Sequence, residues 1–454
     1  MKLKLVVASM SVLGLISCPT FAATQHHKHK HVTQTVRTDY KDMGALPVIV
    51  CPINDPYTET LDVLDHNFGR AKPTEDCTKL ISFAGGINFD THWGNRSMGY
   101  EGENVQRASL NDAYLNIFGN VNDWVKAFAS LSYSNTTTNS AFPYSVFLPT
   151  TSVTATKNGQ YSNVYSNERL NLEQGFIRVA NFDQTPFFVQ IGKQFIPFGI
   201  YNIHPIERSM TQVLSETLAT TAEAGFITQM GFHGTISAFD DTLRQRNSYA
   251  LTTVQGHTHT NYSASLGFDH MSDPALMFGV NLSYLYDMSS VGDITQAISQ
   301  YQSFGFSNTN GSYHNRVAGG AIDAMIGSGP FSLIGDYVSA LSTFNNNDLN
   351  SKGMSVVIPG TGSGAKPWAG NLQAGYNFNA WSRNQNIYLG YQASGDAVNI
   401  FLPKNRWLAG YNVDVWKMTN LGLEVGHDTD YSVSKGGTGD SSNTIALRAG
   451  VQFG

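Results

Sequence analysis

The chain repeats one pattern from Ile81 to its end, in which apolar side chains alternate with small or polar ones. At the start of this region Ile81, Phe83 and Ile87 hold one set of alternate positions, and Ser82 and Asn88 hold the other. A period of two places the two sets on opposite faces of a β-strand, so the two faces meet different environments. The alternation recurs at 262–268, 276–284, 372–378, 387–391 and 445–453. It predicts an all-β fold, either a soluble sandwich or a membrane barrel.

The connections between these segments distinguish the two architectures. The segments amount to about sixteen strands of roughly ten residues, the length that crosses a bilayer at a tilt. Short connections are expected at 120–123, 181–184, around 231, and at 270–274, 327–330, 380–385 and 416–419. Long connections alternate with them at 94–107, 135–167, 196–224, 241–259, 288–314, 343–366, 395–404 and 431–442. A sandwich has no reason to follow this alternation, so we predict a transmembrane antiparallel β-barrel over residues 81–454.

The tryptophans and the last strand agree with a barrel. All six tryptophans fall near expected strand ends, where an amphipathic ring lies at headgroup depth in a membrane barrel. The last strand, which ends in Phe453 and Gly454, is expected to pair with the strand that begins at Ile81, and this removes both sheet edges. This strand resembles the C-terminal signal read by the barrel-assembly machinery, although Gly454 stands where that signal has an aromatic residue.

Composition and the first residues predict export. Charged residues make up 14% of the chain and the net charge is −6, so the sequence lacks the excess positive charge expected of a nucleic-acid-binding protein. Residues 1–22 combine Lys2 and Lys4 with an apolar run at 5–16, as in a secretory signal peptide. A weak lipoprotein box around Cys18 is the alternative. We expect an outer-membrane protein of a Gram-negative bacterium, with outer-membrane lipid as its surroundings, a periplasmic N-terminus and extracellular long loops.

Residues 23–80 form a separate segment before the barrel. Four histidines at 26–31 could bind a metal ion. A solvated tail is the preferred interpretation, because nothing nearby fixes the geometry of metal ligands. Cys51 and Cys77 are the cysteines that remain after signal cleavage, so an oxidising compartment favours a disulfide between them, with two free thiols as the alternative. The segment is expected either in the periplasm or in the lumen. No cofactor is predicted.

The alternation also predicts which polar residues line the barrel. Inward charges across a pore create a transverse field and choose among solutes by charge, although such charges also pair simply to satisfy one another. Among these residues, Lys126, Arg178 and Arg448 are the preferred contacts for an anionic solute. The predicted lumen residues are Asp112, Asn116, Lys126, Arg178, Asp336, Asp414, Glu424, Asp428 and Arg448.

The long connection at 196–224 is the best candidate for a constriction. It begins with Pro197 and Gly199, contains Glu207 and Arg208, and is expected to be helical from Met210 to residue 223. A connection of this length in a compact barrel tends to be functional. The alternative is an extracellular cap without a role in selectivity.

Several motifs resemble those of the LbtU-type siderophore porins. They are QIGKQFIPFG at 190–199, MTQVLSET at 210–217, GPFSL at 329–333, DYV at 336–338, LPKNR at 402–406, LGLEV at 421–425, HD at 427–428 and DY at 430–431. The resemblance implies a barrel that takes up ferric siderophore. The N-terminal coiled coil of some members is not apparent. Larger energy-coupled receptors carry a plug and about 22 strands, which roughly 430 mature residues cannot hold, so uptake is expected to be passive or coupled in another way.

Other functions remain open at this stage. A general or differently selective porin is the alternative within the same fold class, and an adhesin or structural barrel acting through its long loops is the alternative of another class. An enzyme is not expected, because neither a nucleophile elbow nor an HExxH spacing is present.

Overall fold

The computed structural model describes residues 80–94, 105–134, 169–199, 205–228, 230–240, 260–270, 276–303, 314–353 and 361–453. Within them, sixteen antiparallel strands form one closed barrel in which each strand pairs with its sequence neighbours. This confirms the predicted fold. The strands are β1 (Ile81–Gly94), β2 (Val105–Asn120), β3 (Val125–Ser134), β4 (Arg169–Ala180), β5 (Phe187–Phe195), β6 (Leu218–Ile227), β7 (Phe232–Asp240), β8 (Thr260–His270), β9 (Met277–Leu285), β10 (Gly319–Ser328), β11 (Phe331–Ala340), β12 (Trp368–Ala380), β13 (Arg383–Gly395), β14 (Asn405–Trp416), β15 (Thr419–Thr429) and β16 (Ser441–Phe453).

The barrel closes between its first and last strands, as the sequence predicts. Strands β1 and β16 pair in register from Gly85 opposite Phe453 to Gly94 opposite Thr444. Asp90 and Arg448 lie directly opposite each other in this pairing. Closure satisfies the backbone groups that an open sheet would expose at its two edges, a requirement for any sheet within a bilayer.

Burial alternates along the strands and separates an apolar outside from a polar inside. On β11, for example, Leu333 and Tyr337 are exposed while Ser332 and Asp336 are buried. Because the sheet is closed, the buried set faces the lumen and the exposed apolar set faces outward. Five of the six tryptophans belong to the exposed set.

The described helices lie in the long connections. Helix α1 (Met210–Ser215) lies between β5 and β6, and helix α2 (Gly292–Ser303) lies between β9 and β10. The expected helix from Met210 to residue 223 is wrong beyond Ser215, because the chain turns into β6 at Leu218. No helix among the described residues is long and apolar enough to cross a membrane.

Four of the long connections build an apolar core within the barrel end. It combines side chains from the β5–β6, β9–β10, β11–β12 and β13–β14 connections with inward residues of the adjoining strands. Its fully buried members include Ile196, Phe198, Leu214, Met288, Ile294, Ile298, Leu349 and Ile400. These connections are therefore packed elements that occupy part of the barrel entrance.

The N-terminal predictions lie outside the described residues. They are the signal peptide at 1–22, the histidine tract at 26–31, and the proposed disulfide between Cys51 and Cys77 in the 23–80 segment. The strand that opens the barrel begins at Ile81, where the sequence predicts it.

Candidate functional site

The connection between β5 and β6 folds into the barrel and crosses its lumen. We call its described part, residues 205–217, the constriction segment. The backbone N–H of Met210 donates to Oε1 of Gln392 on β13 at 3.0 Å, and helix α1 contacts β11, β12 and β13. Strand β13 lies half a turn of the sixteen-strand barrel away from β5. The segment therefore spans the lumen from one wall to the other.

Local sequence explains how the segment turns within this space. Ser209 has an extended backbone and its hydroxyl accepts a hydrogen bond from the N–H of Gln212 at 3.1 Å, which begins helix α1. The helix ends at Ser215, since Glu216 returns to an extended conformation and leads into β6. The Gln212 side chain donates to Glu216 at 2.7 Å and holds this end.

Two arginines on the opposite wall lie beside the constriction segment. Arg448 on β16 makes two hydrogen bonds to Asp90 on β1, at 2.8 and 2.6 Å. Arg406 on β14 binds Asp428 on β15 in the same bidentate way, at 2.7 and 2.8 Å. Bidentate pairing fixes the guanidinium plane. Both carboxylates are buried, so each arginine is anchored by the wall behind it.

Both arginines also bind the backbone of the segment. Arg448 Nη2 donates to the carbonyl oxygen of Ile206 at 3.3 Å, and Arg406 Nη1 donates to that of Arg208 at 3.4 Å. The carbonyl groups of the segment are thereby joined to the β14 and β16 walls.

Glu424 on β15 binds the amide groups of the same backbone. Its carboxylate accepts from the N–H of Ile206 at 2.9 Å and from the N–H of Glu207 at 3.0 Å. The hydroxyl of Tyr388 on β13 donates to the same carboxylate. Glu424 is 1% exposed. A buried carboxylate needs several donors to offset its desolvation, and here the segment provides two of them.

The side chains at the tip of the segment bind two further elements. Glu207 pairs with His92 on β1 at 2.9 Å. Arg208 pairs with Glu216 at 2.9 Å and with Asp293 of helix α2 at 2.8 Å. Arg208 thus joins the β5–β6 connection to the β9–β10 connection.

Glu207 and Arg208 keep part of their surface open to the lumen. Their side chains are 33% and 23% exposed. Partial burial raises the pKa of Glu207, but the hydrogen bond from His92 and the positive charges of Arg406 and Arg448 outweigh it and lower the pKa to about 2. Burial lowers the pKa of Arg208, but Asp293 and Glu216 raise it above its usual value. Opposite fixed charges thus lie side by side at the tip.

The predicted lumen residues fall into separate groups along the wall. Glu424, Asp428 and Arg448 come together at the constriction segment. Asp336 is buried on the inner face of β11, where it accepts a hydrogen bond from Asn371 at 2.6 Å. Asp414 lies near the short-turn end of β14 and accepts from two wall amides, those of Asn384 and Asn420.

The remaining predicted residues lie on β2, β3 and β4. Lys126 and Arg178 are paired in register on adjacent strands. Arg178 is 9% exposed, donates to Gln190, and its guanidinium lies 5.5 Å from the ring centroids of Phe176 and Phe188. Asn116 is buried on the inner face of β2. The backbone of Asp112 pairs with Asn88, and its side chain lies outside the described part of the structure.

Several residues of the site were not selected from the sequence. His92, Asp90 and Tyr388 lie on strands, and alternation predicts that they face inward but not which of them meet the segment. Arg406 stands in the LPKNR motif, and Glu207 and Arg208 stand in the predicted constriction, so the signal for these three existed without a role attached. Among the described residues, no group of three or more His, Cys, Asp or Glu could hold a metal ion.

The chain is similar in sequence to two proteins described as UPF0422 proteins. One, from Coxiella burnetii, is 24% identical over 362 residues, which cover 79% of this chain and 66% of that protein. Another, from Legionella pneumophila, is 27% identical over 307 residues, which cover 63% of this chain and 54% of that protein. The matches therefore span about two thirds of one relative's length and about half of the other's. No family model matches the chain.

A solved structure shares the fold. The high-pH structure of OprB from Pseudomonas putida aligns with a TM-score of 0.50 at 12% sequence identity, covering 82% of this chain and 94% of that one. The identity is low, so this likeness concerns the fold alone. The fold of this chain is that of a porin-like outer-membrane β-barrel.

Proposed function

We propose that the protein is a passive, water-filled channel in the outer membrane of a Gram-negative bacterium. The observation that carries the proposal is the constriction segment, which crosses the lumen beside a charged wall and leaves Glu207 and Arg208 partly open to solvent. Fixed charges at the narrowest part of a pore act on every solute that passes, so this is where selection takes place. The long connections then face the cell exterior, and the N-terminus lies in the periplasm.

The solute that we propose is a ferric siderophore, because several motifs that resemble those of the siderophore porins lie in the constriction segment and on β5, β11, β14 and β15. A solute that carries both donors and charged groups fits a passage lined by Glu207, Arg208 and Arg448, which are all partly exposed. Lys126 and Arg178 form a second basic pair for an anionic solute. Of the other predicted lumen residues, Asn116, Asp336 and Asp414 lie on the inner wall along this path. Glu424 and Asp428 hold the constriction segment and Arg406 in place, and Asp112 stays a predicted lumen residue.

Two measurements test the proposal in order. Liposomes that contain the purified protein should swell in small neutral sugars. A swelling rate equal to that of empty liposomes would contradict the proposed channel and favour an adhesin or structural barrel.

Cells that lack the gene should take up less radiolabelled ferric siderophore than the parent strain. If the protein forms a channel but cells that lack the gene take up as much ferric siderophore as the parent strain, the proposed solute is contradicted and a general porin is favoured.

A further inference from the structure

Three charged wall residues hold the constriction segment by its backbone, in addition to Gln392. Glu424 accepts from two consecutive N–H groups, those of Ile206 and Glu207. Arg448 and Arg406 donate to carbonyl groups within the same three-residue stretch. Backbone contacts of this kind fix the position of the segment whatever its side chains are.

Of the three, Glu424 is the residue least able to meet a solute. It is 1% exposed and its carboxylate is occupied by the two backbone donors and by the Tyr388 hydroxyl. Arg406 and Arg448 keep 17% and 25% of their side chains exposed. The buried Glu424 carboxylate therefore acts on the passage chiefly through the segment backbone that it binds.

We propose that Glu424 is a positioning residue that holds the constriction segment across the lumen, and that it does not itself contact the solute. The proposal rests on the proposed channel function. It assigns selection to the partly exposed side chains of Glu207 and Arg208, and it assigns the position of those side chains to Glu424. Because the contacts run through the backbone, loss of the carboxylate should release the segment without changing the charges of the segment itself.

The test compares two substitutions that each replace a lumen-wall carboxylate with the matching amide. Glu424→Gln replaces one acceptor oxygen with an NH₂ group, which faces a backbone N–H and leaves that donor unbound. Asp414→Asn removes a carboxylate whose hydrogen bonds go to wall amides and not to the segment. Both proteins are purified at full length, inserted in planar bilayers, and measured for single-channel conductance levels and for reversal potential in a KCl gradient.

We expect the channel to occupy a conductance level above its main level on the order of tenfold more often in Glu424→Gln than in wild type, because a hydrogen bond to a charged group is lost. Asp414→Asn should change the reversal potential without adding that level. If the two variants shift the reversal potential alike and neither gains a higher level, Glu424 acts only as a wall charge and the proposal is wrong. Wild-type protein that conducts no ions would instead contradict the channel function.

A second variant covers the case in which Glu424→Gln does not fold. Tyr388→Phe removes one donor to Glu424 and keeps every charge in place. It should raise the occupancy of the same higher level by a smaller factor, with the reversal potential of the main level unchanged. Wild-type occupancy in Tyr388→Phe would contradict the proposal.

Discussion

At the scale of single residues, the charges of the site differ in how freely they can act on a solute. Asp90, Asp428 and Glu424 are buried and bound, whereas Glu207 is both ionised and partly exposed. Its ion pair with His92 and the nearby guanidinium groups lower its pKa to about 2, even though partial burial raises it. Glu207 is therefore a negative charge that persists well below neutral pH.

We predict that Glu207→Gln shifts the ion selectivity of the channel toward anions, because it removes a partly exposed negative charge from the constriction. The folded pKa lies below the ordinary value of 4.5, so the carboxylate is ionised above that value and loses its charge only as the pH falls toward 2. The difference in reversal potential between wild type and variant should therefore be the same at about pH 7 and at about pH 3.5.

The control for this prediction is Asp183→Asn, which removes an exposed carboxylate in the short turn between β4 and β5. It should leave the reversal potential close to that of wild type. A difference between wild type and Glu207→Gln that is lost by about pH 3.5 would show that Glu207 titrates normally and that its ion pair is weak.

At the scale of elements, the short turns differ in how well their residues suit the backbone. In the turn between β12 and β13, Trp381 and Ser382 both adopt left-handed conformations, with φ of 53° and 59°. Such conformations cost about 1–2 kcal/mol for residues with a Cβ. Glycine avoids this cost. It also loses more conformational entropy on folding than serine does, which offsets part of the gain.

We predict that Ser382→Gly stabilises the barrel by about 0.5 kcal/mol, the net of these two effects. Ser382 is the better position to change, because Trp381 is exposed and suited to the membrane interface. Urea titration of the barrel in lipid vesicles measures the change through the unfolding midpoint. A midpoint below that of wild type would mean that the serine is not strained.

The turn between β6 and β7 should respond in the opposite direction. Gly231 has a φ of 91°, and a Cβ there would lie 1.9 Å from the carbonyl oxygen of Asp269. The backbone must move to admit any side chain, so Gly231→Ala should destabilise the barrel by about 2 kcal/mol or more. The same urea titration measures it, and an unchanged midpoint would contradict the turn geometry.

Arg208 links two elements that the sequence keeps apart. It pairs with Asp293, which is 3% exposed, so Arg208→Met leaves a buried carboxylate without this partner. Removing one member of a buried pair costs about 3–5 kcal/mol, while removing both charges costs less. We predict faster hydrogen exchange in residues 206–217 and 292–298 of Arg208→Met, and partial recovery in the double variant with Asp293→Asn. Exchange at the wild-type rate in both the single and the double variant would mean that the two connections are held by their apolar core alone.

At the scale of the whole molecule, the strands were predictable from the sequence and the contacts within the lumen were not. Alternation such as that of Ile81, Phe83 and Ile87 reports which environment each face meets, so it predicts the strand count, the closure and the inward positions. The contacts of Glu424 with Ile206 join residues 218 positions apart. No periodicity encodes such a contact, because it depends on how a connection without repeating pattern folds against a distant strand.

The closing seam gives a prediction for the entire barrel. Gly85 on β1 lies opposite Phe453 on β16, and a Cβ at Gly85 would lie 2.4 Å from the Phe453 ring and 2.7 Å from the carbonyl oxygen of Tyr114. Gly335 on β11 faces outward in the same way, but its nearest neighbour, a methyl group of Leu372, would lie at an ordinary 3.6 Å. We predict that Gly85→Ala destabilises the barrel by about 1–3 kcal/mol through overpacking, whereas Gly335→Ala is neutral or stabilising by up to about 1 kcal/mol. Each variant adds one methyl group at an outward strand position, so the two variants differ only in where in the barrel that group lies. Resistance of the folded form to unfolding in SDS on heating measures both, and equal resistance would mean that the barrel does not close between β1 and β16 in this register.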